Sequence, residues 1–230
     1  MIKENLSKVH ENINKACKRA GRQPSEVTLI AVSKTKPMEL IQEAYNFGER
    51  NFGENHVQEL EWKVPALPDA SWHMIGHLQR NKVSKIVGKV SLIHSVESER
   101  LAKEIDKQSE KAGVVTPVLV EINIGDEDSK FGIRPEDAVE FVKKISIYKN
   151  ICVKGLMTVA PYVENSEENR PLFRKMYDLY IDIKNENIDN VSMDILSMGM
   201  TNDYEIAIEE GATIVRVGTG IFGARDYTSK

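Results

Sequence analysis

The chain has 230 residues, a formal charge of −4, 41% hydrophobic and 29% charged residues, the balance of a globular protein with a sizeable core. That charge gives no electrostatic reason to bind nucleic acid or an anionic membrane, and basic pairs such as Lys143-Lys144 read as solvated helix faces. No apolar run reaches the roughly 20 residues of a membrane helix, no apolar leader follows Met1, and Cys17 and Cys152 lack the spacing of a disulfide framework or a zinc site, so a soluble, cytoplasmic protein is expected.

Residues 4–20 place Leu6, Val9, Ile13, Ala16, Cys17 and Ala20 at steps of three and four, which predicts a helix closed by Gly21. Val27–Val32 is almost wholly apolar and rich in β-branched residues, which predicts a strand buried on both faces. It ends abruptly in Ser33-Lys34-Thr35-Lys36, and Pro37 holds Lys36 extended. A helix follows over 38–47, stopped by Gly48. Residues 50–53 predict a weak second strand, and 57–64 a short helix before Pro65. Residues 71–75 predict a third strand and 81–87 a helix; 91–94 predict a fourth strand and 98–112 a charged helix. A fifth strand over 117–123 precedes a helix that opens at Pro135 and runs to about 148. Residues 151–157 predict a sixth strand, 167–187 a long helix, 193–196 a seventh strand, 202–210 a short helix and 213–217 an eighth strand.

Strands alternating with helices predict right-handed crossovers and a parallel sheet. Eight such units with no linker between them favour a single (β/α)8 TIM barrel with an extra N-terminal helix, one domain over residues 1–230. An open doubly wound sheet is the competitor, because the second strand is weak.

Polar residues gather at the strand ends: Lys34, Glu54-Asn55, Gly76-His77, His94-Ser95, Glu121 with Asn123, Thr158, Ser197 and Arg216. In a barrel these ends share one face, where sites are built. His73 and His77 are four apart on a strand and its exit, which makes no zinc-binding face and leaves each as a hydrogen-bonded structural residue. Arg216 lies between Val215 and Val217, so a period of two turns it inward beside Ile214. There it either forms a buried ion pair, with Glu121 or Glu54, or meets a polar ligand.

Two glycine-rich turns follow strands seven and eight, Ser197-Met-Gly-Met-Thr201 and Gly218-Thr-Gly-Ile-Phe-Gly223. The second matches G-x-G-x-x-G formally, but no further strand or acidic ribose ligand follows it, which argues against a dinucleotide site. In barrels these two loops are the recurrent phosphate site. Gly199 and Gly218 would let backbone N–H groups converge on a dianion, with the Thr201 and Thr219 hydroxyls beside them. A strand-end lysine, a phosphate cradle and a buried arginine together suggest pyridoxal 5′-phosphate. Strand parity does not choose between Lys34 and Lys36.

The residues that carry this site also resemble a known family. Ala31-Val-Ser-Lys-Thr-Lys-Pro37, Phe52-Gly-Glu-Asn55, Trp72-His73, Gly155-Leu-Met157, Leu196-Ser-Met-Gly-Met200 and Val215-Arg-Val-Gly218 are similar, in order, to the pyridoxal phosphate homeostasis proteins. These are single barrels like the N-terminal domain of alanine racemase. The resemblance implies that Lys34 carries pyridoxal 5′-phosphate as a Schiff base, that Arg216 faces the pyridine nitrogen, and that Asn55 and Met157 lie by the cofactor. It places the phosphate on Ser197, Gly199, Met200, Thr201, Gly218 and Thr219. His56 stands where the family commonly has tyrosine and Thr201 where it commonly has serine.

The resemblance implies a cofactor carrier in vitamin B6 and amino-acid homeostasis, with cofactor-dependent apo-enzymes as recipients and no catalytic turnover. The alternative enzyme is a pyridoxal phosphate-dependent amino-acid racemase, which needs acid–base groups on both faces of its substrate. Lys34 supplies one such group, and no residues are left for the domain that brings the other in two-domain racemases. A third class, a barrel holding another phosphorylated metabolite, would use the glycine loops without Lys34.

Overall fold

The computed structural model describes residues 1–127 and 131–224. Its strands are β1 (Thr28–Val32), β2 (Asn51–Glu54), β3 (Ser71–Met74), β4 (Leu92–Val96), β5 (Thr116–Glu121), β6 (Ile151–Met157), β7 (Val191–Met200) and β8 (Ile214–Val217). They pair in chain order, all parallel, and β8 pairs back onto β1 to close the barrel. The weak second strand is real: Ala31 and Val32 pair with Phe52 and Gly53, and all four β2 residues pair with β3. The helices are α1 (Ile2–Arg19), α2 (Met38–Phe47), α3 (Val57–Ala66), α4 (Glu99–Ala112), α5 (Ala138–Ile145), α6 (Arg170–Asn185), α7 (Tyr204–Glu209) and α8 (Thr219–Phe222). Among the described residues no helix is long and apolar enough to cross a membrane.

The strands sort their side chains by the period of two. Ile30, Leu92, Leu119, Met157 and Ile214 pack together inside the barrel. Leu29, Ala31, Val215 and Val217 point the other way, into the core shared with the helices. Each of the larger side chains among them, Val, Leu, Ile or Met, contributes roughly 1.5–3 kcal/mol on burial. The parity that puts Ile30 and Ile214 inside also turns Lys34 and Arg216 toward the barrel axis. The N-terminal α1 buries its stripe of Ile2, Leu6, Val9, Ile13, Ala16 and Cys17. It packs on α7 and α8, where Asn12 donates to the Tyr204 hydroxyl at 3.0 Å and Asn5 to the Ile221 carbonyl at 2.8 Å.

Two local expectations are corrected. The helix expected over 81–87 is a 3₁₀ helix over Arg80–Lys85, a form that apolar spacing over two turns does not distinguish. The expected glycine turn at 197–201 is mostly strand, because β7 runs on to Met200. Ser197 pairs with Ile214 and Met200 with Arg216, so β7 advances three residues while β8 advances two. The extra residue is a bulge. Gly199 sits in it with φ +90°, and a Cβ there would lie 2.5 Å from the Ala207 Cβ and 2.9 Å from the Tyr204 Cα. Its role is to let α7 close on the strand. Gly199→Ala is expected to cost about 2–4 kcal/mol, from overpacking plus the left-handed backbone. A thermal melt should show Tm lower by roughly 5–15 °C; an unchanged Tm would refute this account of the bulge.

Candidate functional site

At the C-terminal ends of the strands a cleft of about 770 Å³ opens. Val32, Ile75 and Val159 give it apolar surface. Lys34 and Asn55 line it from the β1 and β2 ends, and Arg216, Gly218 and Thr219 from β8 and α8. Met200, Thr201 and Asn202 line it from the end of β7, with Tyr162 from the loop after β6. Seven of the ten residues singled out in the sequence, Lys34, Asn55, Met200, Thr201, Arg216, Gly218 and Thr219, therefore share one wall system.

Lys36 is elsewhere. Its ammonium donates to the carbonyls of Phe222, Gly223 and Ala224 at 3.1–3.2 Å, which caps the end of α8. Lys34 and not Lys36 lines the cleft.

Arg216 is buried, and Nη1 donates to the Ser197 hydroxyl at 2.5 Å and Nη2 to the Thr158 carbonyl at 2.7 Å. Among the described residues it forms no ion pair. Glu54, one of the two expected partners, lies on the outer side of the barrel against α3, where it pairs with Lys63. Glu121 is near enough to act on the guanidinium through its charge but forms no salt bridge with it. Burial lowers the arginine to about 10, which still leaves it protonated at neutral pH, and pushes Glu121 up to about 7. A buried cation with two neutral acceptors is a group built to face an electron-rich ligand.

Behind Arg216 runs a chain of hydrogen bonds through the barrel. Ser197 Oγ meets His94 Nδ1 at 3.1 Å, His94 Nε2 meets His73 Nδ1 at 3.1 Å, and His73 Nε2 meets Asn51 Oδ1 at 3.2 Å. Burial drives both imidazoles toward the neutral form, His73 to about 4 and His94 well below its ordinary value. Arginine only donates, so one direction satisfies every member. Arg216 donates to Ser197, Ser197 to His94, His94 through Nε2–H to His73, and His73 through Nε2–H to Asn51. The two histidines are thus structural supports; among the described residues no group of three or more His, Cys, Asp or Glu side chains could hold a metal ion.

Three predicted contacts do not line the cleft. Ser197 is buried one layer down, where it holds Arg216. Gly199 packs against α7, and Met157 belongs to the apolar barrel interior. Gly218 has φ −111°, so it supplies no left-handed turn. Thr201 does the joining instead: its Oγ1 accepts from the N–H groups of Gly218 at 3.2 Å and Gly220 at 3.4 Å, which ties the β7 end to α8. Its own O–H remains to donate into the cleft. Sequence reading missed Tyr162 and Asn202, because loop residues carry no strand parity. His56 is exposed and lines an adjoining hollow with Asn55, Gln58, His77 and Lys82.

Residues 5–226 match the family described as alanine racemase, N-terminal domain. A pyridoxal phosphate homeostasis protein of Aquifex aeolicus is 49% identical over 226 residues, covering 97% of this chain and 98% of that protein. The chain belongs to the pyridoxal phosphate homeostasis protein family. Among solved structures, an unknown protein from Bifidobacterium adolescentis superposes on this family member with a TM-score of 0.90 at 35% identity, covering 96% of this chain and 94% of the other. PipY of Synechococcus elongatus, solved with pyridoxal phosphate bound, superposes with a TM-score of 0.82 at 34% identity, covering 97% and 100%. The closed (β/α)8 barrel of this chain superposes on both of these solved structures over nearly its whole length.

Proposed function

We propose that this chain is a pyridoxal 5′-phosphate-binding protein with Lys34 as its Schiff-base lysine, serving vitamin B6 and amino-acid homeostasis without turnover of a substrate. The observation that carries the reading is the meeting of Lys34, Arg216 and the Thr201–Gly218–Thr219 loops in one cleft of a family member. Pyridoxal phosphate supplies an aldehyde for an amine and an electron-withdrawing pyridine ring. Lys34 would take the aldehyde, the Thr201 and Thr219 hydroxyls with the Thr219 N–H would take the phosphate beside Gly218, and Arg216 the ring nitrogen. These residues fit the group: one amine, one set of hydroxyl and N–H donors, and one held cation.

A guanidinium that stays protonated disfavours protonation of a facing pyridine nitrogen, which weakens the electron sink that carbanion chemistry needs. Proton transfer on a second face needs a positioned acid or base. Besides Lys34 and Arg216, the ionisable side chain lining the cleft among the described residues is Tyr162, 84% exposed and held by no hydrogen bond. This supports a carrier over a racemase. We read residues 1–230 as one cofactor-binding domain acting in the cytoplasm, with apo-enzymes that use the cofactor as recipients.

Protein mixed with the cofactor should show a visible absorbance band that borohydride bleaches, and peptide mapping should find the label on Lys34. Label on Lys36 would overturn the assignment. Sustained turnover across a panel of D- and L-amino acids would overturn the carrier reading.

A further inference from the structure

Outside the barrel wall, a buried group of charges grips the segment that presents Lys34. Lys63 on α3 is fully buried, and its ammonium donates to the Ser33 carbonyl at 2.9 Å, Glu54 Oε1 at 2.7 Å and Glu59 Oε1 at 2.8 Å. The Ser33 hydroxyl donates to the same Glu54 oxygen at 2.6 Å. The Thr35 N–H donates to the same Glu59 oxygen at 2.7 Å. Both chain neighbours of Lys34 are therefore tied to one ammonium, Ser33 directly and through Glu54, Thr35 through Glu59.

The grip has a cost and a geometric consequence. Thr35 has φ +63°, in the left-handed region that a β-branched residue avoids. Glu54 leaves Oε2 buried without a partner, and burial pushes its carboxyl up to about 7. Apolar residues of similar size would pack β2 against α3 at less expense. What a buried charge network contributes that apolar packing does not is a fixed direction for each bonded group. Here those groups are the peptide units on either side of Lys34.

We propose that Lys63, Glu54 and Glu59 are positioning residues that hold the backbone of Ser33–Thr35 so that the Lys34 amine meets an incoming aldehyde in the cleft. The inference rests on the reading of Lys34 given above. In the step they serve, the neutral Lys34 nitrogen adds to the aldehyde carbon. A C=N bond forms, and the aldehyde oxygen leaves as water with the amine's two hydrogens.

Two variants test it: the pair Glu54→Gln with Lys63→Met, which removes the two fully buried charges together and leaves Glu59 its bond from the Thr35 N–H, and Glu59→Ala, at the partly exposed edge of the network. Stopped-flow absorbance with pyridoxal phosphate reads covalent capture. Fluorescence titration with 4-deoxypyridoxine 5′-phosphate, which lacks the aldehyde, reads the phosphate and ring contacts alone. Amide hydrogen exchange reads residues 33–36. Each variant is expected to slow capture at least tenfold, to hold affinity for the deoxy analogue within twofold, and to speed exchange at Thr35. Capture within twofold of the parent in either variant would overturn the proposal, and so would parallel losses of capture and analogue affinity, the mark of a merely structural role. Absence of borohydride-stable label on Lys34 in the parent would overturn the Lys34 reading and this inference with it. Label present with unchanged capture in the variants overturns the inference alone.

Discussion

Lys34→Ala is expected to abolish the borohydride-stable label and the visible band while leaving reversible binding of pyridoxal phosphate about 100-fold weaker, a loss of about 2.7 kcal/mol. The residual binding follows from the separation of contacts in the cleft. Thr201, Gly218 and Thr219 follow the ends of β7 and β8, and Thr201 accepts from the N–H groups of Gly218 and Gly220, contacts that the loss of the Lys34 side chain does not remove. Fluorescence titration checks the outcome, and total loss of binding would show that the phosphate loops carry no affinity of their own. Lys36→Ala is the matched control. It should keep the label, because the Lys36 ammonium bonds three carbonyls after α8 and does not line the cleft.

Arg216→Met should separate stability from binding. Its guanidinium is buried with no carboxylate bonded to it among the described residues, so folding bears a desolvation cost that is offset by the bonds to Ser197 and Thr158 and by the nearby charges of Glu121 and Asp203. Replacing a buried charge with an apolar side chain of similar length is often neutral or stabilising, though two acceptors would then lose a donor. Urea unfolding of the cofactor-free variant should therefore stay within about 1.5 kcal/mol of the parent, while affinity for pyridoxal phosphate falls about tenfold or more. A large loss of stability with unchanged affinity would make Arg216 a structural residue and leave the ring nitrogen without its proposed partner.

Much of the architecture was legible along the chain. Alternating apolar strands and amphipathic helices implied the barrel, and the flanking valines turned Arg216 inward where Ile214 now marks the interior. The chain from Arg216 through Ser197 and His94 was not legible, because Ser197 and His94 are 103 residues apart and meet only across a closed barrel. The same holds for Lys63, which in the sequence is one more helical lysine and in the fold is a fully buried ammonium beneath Ser33. The bulge at Gly199 was misread as a turn because glycine signals only that an unusual backbone is allowed, not which neighbour demands it.

The pair of lysines after β1 divides the two sources most clearly. Local sequence determined that a strand buried on both faces ends at Val32 and that Lys34 and Lys36 share the inward parity of Ile30, because side chains alternate every residue along a strand. It could not say which amine stays in the cleft. That was decided by α8, more than 180 residues further on, whose terminal carbonyls reach Lys36 and draw its ammonium away. Parity is a property of neighbouring residues, whereas the partner that captures a flexible side chain is set by whichever distant element the closed barrel brings beside it.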